Sequence, residues 1–406
     1  MSENRKVYLD HSATTPTDRR VVEAMLPYLT DFFGNASSVH YFGQQARAAV
    51  DRARRQVANL IGARANEIVF VSGGTEANNL AIRGLTEALL LKSGQKGHIV
   101  TSAIEHPSVR GIVDELETRG WEITRLPVYD DGIVRLDDLR SSLQPDTVLI
   151  SVMLANNEIG TIQPVAQIAE LVRDERDRGR QLWLHTDAVQ AAGRIPLDVE
   201  ALGCDLLSLS AHKLYAPKGM GALFVRRGVR LVPQNVGGHQ ERERRAGTEN
   251  VAGIVAFGAA AKLAHEETQL RSAHDSALRD RFEALVKKEI ADVVFNGDRN
   301  RRLSNLSNIS FRFIEGEGLL ISLDLQGVAV STGSACSSGT LEPSPVIRAL
   351  GRNDELARGA IRFSFGKDNT EADVDYVIEV LHRAVATLRR LSPLNKDLPA
   401  ELGVSS

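Results

Sequence analysis

The sequence predicts an α/β protein with a mainly parallel central sheet and a second, smaller α+β domain. In the first half of the chain, short apolar runs alternate with helical patterns, which favours parallel strands covered by helices. After a long helical stretch near the middle, strand and helix patterns begin again. At 406 residues the chain also exceeds the size at which one core usually stops growing, so we expect two domains.

The spacing of apolar residues predicts the elements of the larger domain in order. Apolar residues recur at helical spacing over 44–61, where Gly62 stops the helix. Buried strands are predicted for five apolar runs, at 68–71, 99–101, 148–152, 182–185 and 206–209. Pro164 suits the first turn of another helix, which follows the third run.

The elements of the smaller domain follow the long helix. Residues 250–288 lack strand signals and are rich in Ala, Leu, Glu and Arg, which predicts one helix that connects the two domains. Beyond it the patterns predict strands at 307–313 and 360–365 and helices at 318–325 and 370–391. We expect the larger domain to span 16–262 and the smaller to combine 1–15 with 263–406.

Charge and hydropathy exclude several classes of function. The 49 Lys and Arg nearly balance the 52 Asp and Glu, so no basic field is available to bind nucleic acid directly. No stretch approaches the roughly 18 apolar residues of a membrane span, and the start lacks a secretory signal. We therefore expect a cytoplasmic protein without membrane contact. Cys204 and Cys336 are too few for a disulfide framework and too far apart for a thiolate metal site.

Polar residues cluster just beyond the predicted strands, where open α/β sheets bind their ligands. The first run leads into a glycine turn at 72–76, and Gly74 and Thr75 there present backbone N–H groups that suit a phosphate. A plain turn capped by Thr75 is an equally good reading. Later runs are followed by a second group, comprising Glu105, His106, Asn156, Asn157, Glu158, Asp187 and Gln190. Each of these is ambiguous alone, but they converge on one sheet edge.

Lys213 follows the strand predicted at 206–209. Partial desolvation there would lower the pKa of its amine and make it nucleophilic toward carbonyls, although an arbitrary lysine more often extends to solvent. The combination changes this weighting, because pyridoxal 5′-phosphate needs a phosphate turn, an acid for its ring nitrogen and a lysine for its aldehyde. Those three features stand at 72–76, Asp187 and Lys213.

Six motifs together resemble the cysteine desulfurases of the NifS/IscS type, on fold type I of the pyridoxal-phosphate-dependent transferases as in class V aminotransferases. The motifs are SGGTEANN (72–79), NNEIGTIQP (156–164), HTDAVQ (185–190), SAHKLYAPKG (210–219), RAGTEN (245–250) and STGSACSSGTLEPS (331–344). The resemblance extends from YLDHSATTP (8–16) to RFSFG (362–366). It implies a homodimer that acts on L-cysteine.

The resemblance also implies a role for each matching residue. Lys213 holds the cofactor aldehyde as a Schiff base, Asp187 pairs with the ring nitrogen, and Gln190 reaches the phenolic oxygen. His106 stacks on the ring and relays protons. The phosphate-binding set is Gly74, Thr75, Ser210, His212 and, from the other subunit, Thr248. Asn157 contacts the cofactor and, with Arg362, holds the substrate carboxylate.

Cys336 is the expected nucleophile. It lies within ten consecutive small residues, 331–340, a composition that suggests a swinging loop rather than a packed core, whereas Cys204 reads as a core residue. The Cys336 thiolate would take sulfur from L-cysteine and leave L-alanine. The resulting persulfide would pass its sulfur to an acceptor protein, such as an iron–sulfur scaffold or a tRNA-thiolation enzyme.

Two other readings stay open. Another enzyme of the same fold, such as an aminotransferase or a selenocysteine lyase, would share the cofactor site because a fold does not determine a reaction. A non-catalytic sulfur carrier would present Cys336 without binding a cofactor.

Overall fold

The computed structural model describes residues 5–332 and 343–393, and the predicted nucleophile Cys336 lies outside these described residues. Within them the strands form three sheets. The large sheet runs in the order Ile68–Val71, Gly221–Val225, Leu206–Ser210, Trp183–Asp187, Thr147–Ser151, His98–Ser102 and Glu122–Leu126.

The large sheet is mainly parallel, as predicted. Every neighbouring pair is parallel except the two that involve Gly221–Val225, which runs antiparallel to Ile68–Val71 and to Leu206–Ser210. The sequence analysis did not predict Gly221–Val225 or the edge strand Glu122–Leu126. The predicted strand at 182–185 extends to Asp187, so this carboxylate belongs to the strand end itself.

Helices pack on both faces of this sheet and beside it. The first half of the chain contains the helices Arg19–Met25, Pro27–Thr30, Tyr41–Leu60, Gly74–Ser93, Pro107–Thr118, Leu136–Ser142, Val165–Asp177 and Val199–Leu202. The second half adds Val251–Glu289, Gly316–Asp324, Pro345–Ala349, Asp354–Arg358 and Glu371–Leu391. Short 3₁₀ turns occur at Ala65–Glu67, Ala211–Lys213 and Gln240–Glu243.

Capping side chains explain where two of the helices begin. Asn250 accepts a hydrogen bond from the backbone of Gly253 at 3.0 Å and so starts the long helix. Thr370 and Asp373 form a reciprocal capping box at the start of the last helix. At the other end of Gly74–Ser93, Gly94 adopts a φ of 69°, a left-handed conformation that glycine reaches without steric cost.

The C-terminal part of the chain forms a smaller core. Its antiparallel sheet runs Ala360–Ser364, Leu306–Phe311, Val293–Phe295, and a short parallel pair joins Val7–Tyr8 to Val328–Ala329. Leu306–Phe311 stops earlier than predicted because Phe313 turns into the left-handed region, with a φ of 67°. The predicted domain boundary at 262 falls inside Val251–Glu289, whose first half joins the large core and whose second half joins the small one.

Two kinds of feature are absent from the described residues. No helix among them is both long and apolar enough to cross a membrane. The same part of the chain holds no group of three or more His, Cys, Asp or Glu side chains arranged to bind a metal ion.

Candidate active site

A cavity of about 350 Å³ opens where the parallel strands of the large sheet end. Its walls include ten of the residues predicted from the sequence, namely Gly74, Thr75, His106, Asn157, Asp187, Gln190, Ser210, His212, Lys213 and Arg362. Nine of them end or follow strands of the large sheet whose carboxyl ends share one edge, and Arg362 comes from the antiparallel sheet of the small core.

Lys213 lies in the cavity wall and does not extend into bulk water. It closes the 3₁₀ turn that follows the strand Leu206–Ser210. Its Nζ donates hydrogen bonds to the backbone carbonyls of Ser12 and Ala13, the second at 2.6 Å. Gln190 Nε2 donates to the Ser12 carbonyl as well, at 2.9 Å. The N-terminal segment therefore holds both side chains at the cavity.

Asp187 forms the acidic part of the wall. The residue is 6% exposed, and each of its carboxylate oxygens accepts a hydrogen bond. Oδ1 accepts from the backbone N–H of Val189 at 2.9 Å, and Oδ2 accepts from Asn78 Nδ2 at 2.8 Å. Val189 and Asn78 therefore hold the carboxylate in a fixed orientation.

His106 lies beside Asp187 and caps the helix Pro107–Thr118. Its Nδ1 accepts from the backbone N–H of Ser108 at 3.1 Å and lies 2.8 Å from Ser108 Oγ. Burial lowers the pKa of His106, the negative charge of Asp187 opposes this shift, and Lys213 reinforces it. The imidazole is therefore less basic than a histidine in water.

Glu105, directly before His106, is a buried acid beneath the cavity. Its Oε1 accepts from Ser102 Oγ at 2.5 Å and from the Met153 backbone at 2.9 Å, while Oε2 has no partner among the described residues. Burial raises the pKa of Glu105 to about 8, and the nearby charge of Asp187 also raises it. The carboxyl is thus largely protonated at neutral pH.

The glycine turn of the cavity is tightly packed on one side. A Cβ atom on Gly74 would lie 2.9 Å from Val189 Cγ2 and 3.5 Å from Ser210 Cβ, whereas one on Gly73 would meet nothing within 4 Å. Gly74 and Thr75 open the helix Gly74–Ser93, so the first unpaired N–H groups of this helix lie next to the cavity.

His212, on the same wall, is poorly basic. Its Nδ1 lies 3.1 Å from Thr14 Oγ1. Burial and, to a smaller extent, the charges of Lys213 and Lys218 together lower the pKa of His212 to about 4. The ring is neutral at physiological pH and has a ring N–H available as a donor.

Arg362 forms the opposite wall, on the strand Ala360–Ser364 of the small core. Its guanidinium is 4% exposed and donates to Asp10 Oδ1 at 2.7 Å and to the backbone carbonyl of Asn157 at 3.0 Å. Its Nε has no partner among the described residues. The guanidinium is thus oriented from two sides and still has donor capacity for a ligand.

Thr248 lies outside this cavity. It is exposed and lines a separate hollow of about 240 Å³ together with Glu241, Arg245 and Glu249. The nearby Glu241 forms a buried bidentate pair with Arg54, at 2.6 Å and 2.7 Å. The other predicted residue that the cavity wall does not contain, Cys336, falls outside the described part of the chain.

Sequence reasoning assigned no role to several residues that matter here. Asn78 stands inside SGGTEANN, Ser108 follows His106 closely, and Asp10 to Ala13 lie within YLDHSATTP. Asn78 alone carried a recognisable signal, because it is a polar residue in phase with the buried helix positions Ala81 and Leu85. The contacts of the N-terminal segment are too distant in sequence to be predicted from local patterns.

Comparisons with known proteins agree with this architecture. The profile of the family "Aminotransferase class-V" matches residues 7–377. The cysteine desulfurase IscS of Dictyoglomus turgidum is 49% identical over 393 residues, covering 97% of this chain and 98% of that protein. The IscS protein of Methanosarcina thermophila is 49% identical over 395 residues, covering 97% and 95%.

Solved structures show the same likeness. A NifS-like protein superposes with a TM-score of 0.88 at 34% identity, and the match covers 95% of this chain and 100% of that chain. A structure described as SspA in complex with cysteine has a TM-score of 0.77 at 33% identity, covering 88% of this chain and 98% of that one.

Proposed function

This chain belongs to the class-V aminotransferase family, in the branch of the cysteine desulfurases, and we propose that it removes sulfur from L-cysteine at the cavity described above. Pyridoxal 5′-phosphate is the proposed cofactor, and L-alanine and a persulfide on Cys336 are the proposed products. One observation carries the proposal: a lysine, a buried carboxylate and a buried arginine, Lys213, Asp187 and Arg362, line a single cavity.

The residues of the cavity fit this cofactor. The buried Oε1 of Gln190 has no hydrogen-bond partner among the described residues, so it is available for a ligand group. Asp187 supplies an acceptor for a protonated ring nitrogen. Gly74, which is closely packed, and Thr75 offer backbone N–H donors for a phosphate at the start of their helix. The neutral ring of His212 and the hydroxyl of Ser210 offer side-chain donors for the same group.

Each residue then has a chemical task. When bound, the cofactor supplies an aldehyde that condenses with amines and a ring that accepts the electron pair left at the substrate Cα. Lys213 holds the aldehyde at rest and moves the Cα proton while substrate is bound. Asp187 keeps the ring nitrogen protonated. His106 would lie over the ring, and because burial lowers its pKa, its imidazole is neutral and able to accept a proton.

Arg362 and Asn157 position the substrate. A guanidinium matches a carboxylate with two parallel hydrogen bonds, and the burial of Arg362 strengthens such a pair. Because Asp10 and the Asn157 backbone already orient the guanidinium, little further ordering is required when the substrate carboxylate arrives.

Cys336 completes the reaction in this proposal. Its thiolate attacks the substrate sulfur, so that an S–S bond forms while the Cβ–S bond breaks. The electron pair of the broken bond stays on the substrate carbon, which takes up a proton and leaves as L-alanine. The outer sulfur of the persulfide then passes to an acceptor, for which an iron–sulfur scaffold and a tRNA-thiolation enzyme are the candidates.

A homodimer is part of the proposal. The exposure of Thr248 outside its own cavity supports a role in the partner's phosphate site. Large apolar side chains near the start of the chain are also exposed, including Leu26 at 56%, Leu29 at 54%, Phe33 at 68% and Val39 at 89%. Exposed apolar clusters of this kind mark association surfaces. We propose a cytoplasmic location.

Mass spectrometry of the purified protein after treatment with L-cysteine tests the function. We expect one additional sulfur atom on Cys336 and equimolar L-alanine in the supernatant. Cys336→Ala should lose the added sulfur while keeping the visible absorbance of the bound cofactor, and Lys213→Ala should lose that absorbance. Cys204, which is buried, serves as the internal control and should stay unmodified. Added sulfur on neither cysteine, with L-alanine still formed, would contradict the role of Cys336.

A further inference from the structure

Helix stability does not explain the presence of Asn78 in the fold. The residue lies within the helix Gly74–Ser93 and is fully buried, at 0% exposure. Asparagine is a poor helix former, and burying its amide is unfavourable unless the amide is hydrogen-bonded. Its Oδ1 has no partner among the described residues. The hydrogen bonds that its side-chain nitrogen donates therefore explain why an asparagine is buried at this position.

Asn78 Nδ2 has two hydrogens, and each has an acceptor. One goes to Asp187 Oδ2 at 2.8 Å and the other to Ser108 Oγ at 2.9 Å. The opposite orientation of the amide would place Oδ1 against the carboxylate, with two acceptors facing each other. The contact with Asp187 therefore determines the orientation of the amide.

Ser108 extends the network to His106. Because Ser108 Oγ accepts from Asn78, its single hydrogen is directed to His106 Nδ1, 2.8 Å away. The Ser108 backbone N–H donates to the same nitrogen at 3.1 Å. With two donors directed at Nδ1, the proton of the neutral ring resides on Nε2.

We propose that Asn78 is a positioning residue that ties Asp187 and His106 into one polar network. This inference rests on the function proposed above, in which Asp187 meets the ring nitrogen and His106 covers the ring. Through one hydrogen Asn78 orients the Asp187 carboxylate, and through the other it keeps Ser108 turned toward His106 Nδ1. The charged groups that face His106 are Asp187, Lys213, Arg110 and Arg362, and Nδ1 itself is held by the hydroxyl and the backbone N–H of Ser108.

Two variants separate the two branches of the network. Asn78→Leu, of similar volume, removes both donations. We expect the dissociation constant for pyridoxal 5′-phosphate to rise about tenfold, the usual effect of losing one hydrogen bond to a charged group. Ser108→Ala removes the His106 branch alone. There we expect the pKa of His106, measured by NMR in the cofactor-free protein, to rise by about 0.5 because neutral imidazole loses a donor.

Asn79→Ala is the matched control. Asn79 is the adjacent asparagine of the same helix, and within residues 5–332 and 343–393 its Nδ2 donates only to the backbone carbonyl of Thr75. We expect this variant to change neither the dissociation constant nor the pKa of His106.

The readouts distinguish a positioning role from a structural one. If Asn78→Leu lowers only the unfolding midpoint and binds the cofactor like the wild type, the proposal is overturned. Should Asn78→Leu not fold, an unchanged His106 pKa in Ser108→Ala overturns it instead. A wild-type protein that binds no pyridoxal 5′-phosphate contradicts the proposed function, whereas the NMR measurement on the cofactor-free protein still tests the network.

Discussion

Burial sets the chemistry of individual residues in this cavity. Three neighbouring groups respond in different ways: the pKa of Glu105 rises, the pKa of His212 falls, and Arg362 stays paired with Asp10. Each response follows from burial, because the charged form of a group is stable away from water only when a partner compensates its charge. These groups therefore give residue-specific predictions.

Arg362→Lys should impair substrate binding more than cofactor binding. A lysine keeps the charge but cannot form two parallel hydrogen bonds with a carboxylate, so we expect KM for L-cysteine to rise on the order of tenfold to a hundredfold with kcat less affected. Steady-state kinetics of L-alanine formation measure this. Arg358→Lys, at an exposed arginine four positions earlier, is the control and should leave KM unchanged. Equal KM values for the two variants would remove Arg362 from the substrate site.

Glu105 predicts a specific dependence of stability on pH. Its pKa is about 8 in the folded protein and 4.5 when unperturbed, so its contribution to stability is complete below about pH 4.5 and is lost as the pH rises through about 8. Glu105→Gln cannot titrate. Between about pH 5 and about pH 8.5, we expect wild-type unfolding free energy to fall relative to the variant by on the order of 2–4 kcal/mol.

Urea midpoints at the two pH values measure this difference. The control is Glu23→Gln, at an exposed glutamate, for which the offset from wild type should be the same at both pH values. A constant offset for Glu105→Gln as well would show that the carboxyl titrates normally.

The secondary-structure elements bring together functional groups that are far apart in the sequence. The strands ending at Ser102, Ser151, Asp187 and Ser210 run parallel, so the segments after them reach one edge. The antiparallel strand Gly221–Val225 packs against the glycine turn, since a Cβ on Gly221 would lie 2.6 Å from the Gly73 carbonyl carbon. The turn is therefore held close to the sheet by backbone contact.

Gly74→Ala tests this close packing. The added methyl group would lie 2.9 Å from Val189 Cγ2, and the stiff valine side chain cannot move far, so the start of the helix must shift. We expect the dissociation constant for pyridoxal 5′-phosphate to rise about tenfold. Fluorescence titration of cofactor-free protein measures it. Gly73→Ala meets no atom within 4 Å and should bind within about twofold of wild type, whereas equal losses would point to backbone flexibility rather than packing.

At the scale of the whole molecule, the cavity is lined by residues from both the large core and the small core. Asp187 ends one strand of the large sheet and Lys213 follows another, Arg362 lies on the small sheet, and the N-terminal segment contacts both Lys213 and Arg362. Thr248 lines a separate hollow and not this cavity. In the proposed homodimer, Thr248 would serve the cavity of the other copy of the chain.

Mixed dimers test whether Thr248 acts across the interface. When a Lys213→Ala chain pairs with a Thr248→Ala chain, one cavity keeps its lysine and receives an intact threonine, so about half of the wild-type activity should remain. When both substitutions lie on one chain paired with a wild-type chain, no cavity is intact, and cofactor affinity should fall about tenfold at the only lysine-bearing site. Differently tagged chains purified together allow both measurements. The reverse pattern would place Thr248 in its own cavity.

Much of this architecture was predictable from the chain. The runs at 68–71, 99–101, 148–152 and 206–209 were correctly located because burial on both faces leaves continuous apolar stretches. Gly221–Val225 was missed because GALFV is short and follows a glycine-rich loop. Nine of the predicted residues line the cavity because one general rule, that ligands bind at the carboxyl ends of parallel strands, connects sequence position to location, whereas Arg362, on the antiparallel small sheet, was predicted only from the family resemblance.

Local sequence, then, specified the strands, the helices and the reactive groups that follow them, since alternation of apolar and polar residues is a property of neighbours. Folding alone decided which of those groups meet. Asp10 and Arg362 are 352 positions apart, and Asn78 and Asp187 are 109 apart, so no periodic pattern contains either contact. The same holds for the raised pKa of Glu105 and the unpaired Oδ1 of Asn78, because burial depends on every element that packs around a group.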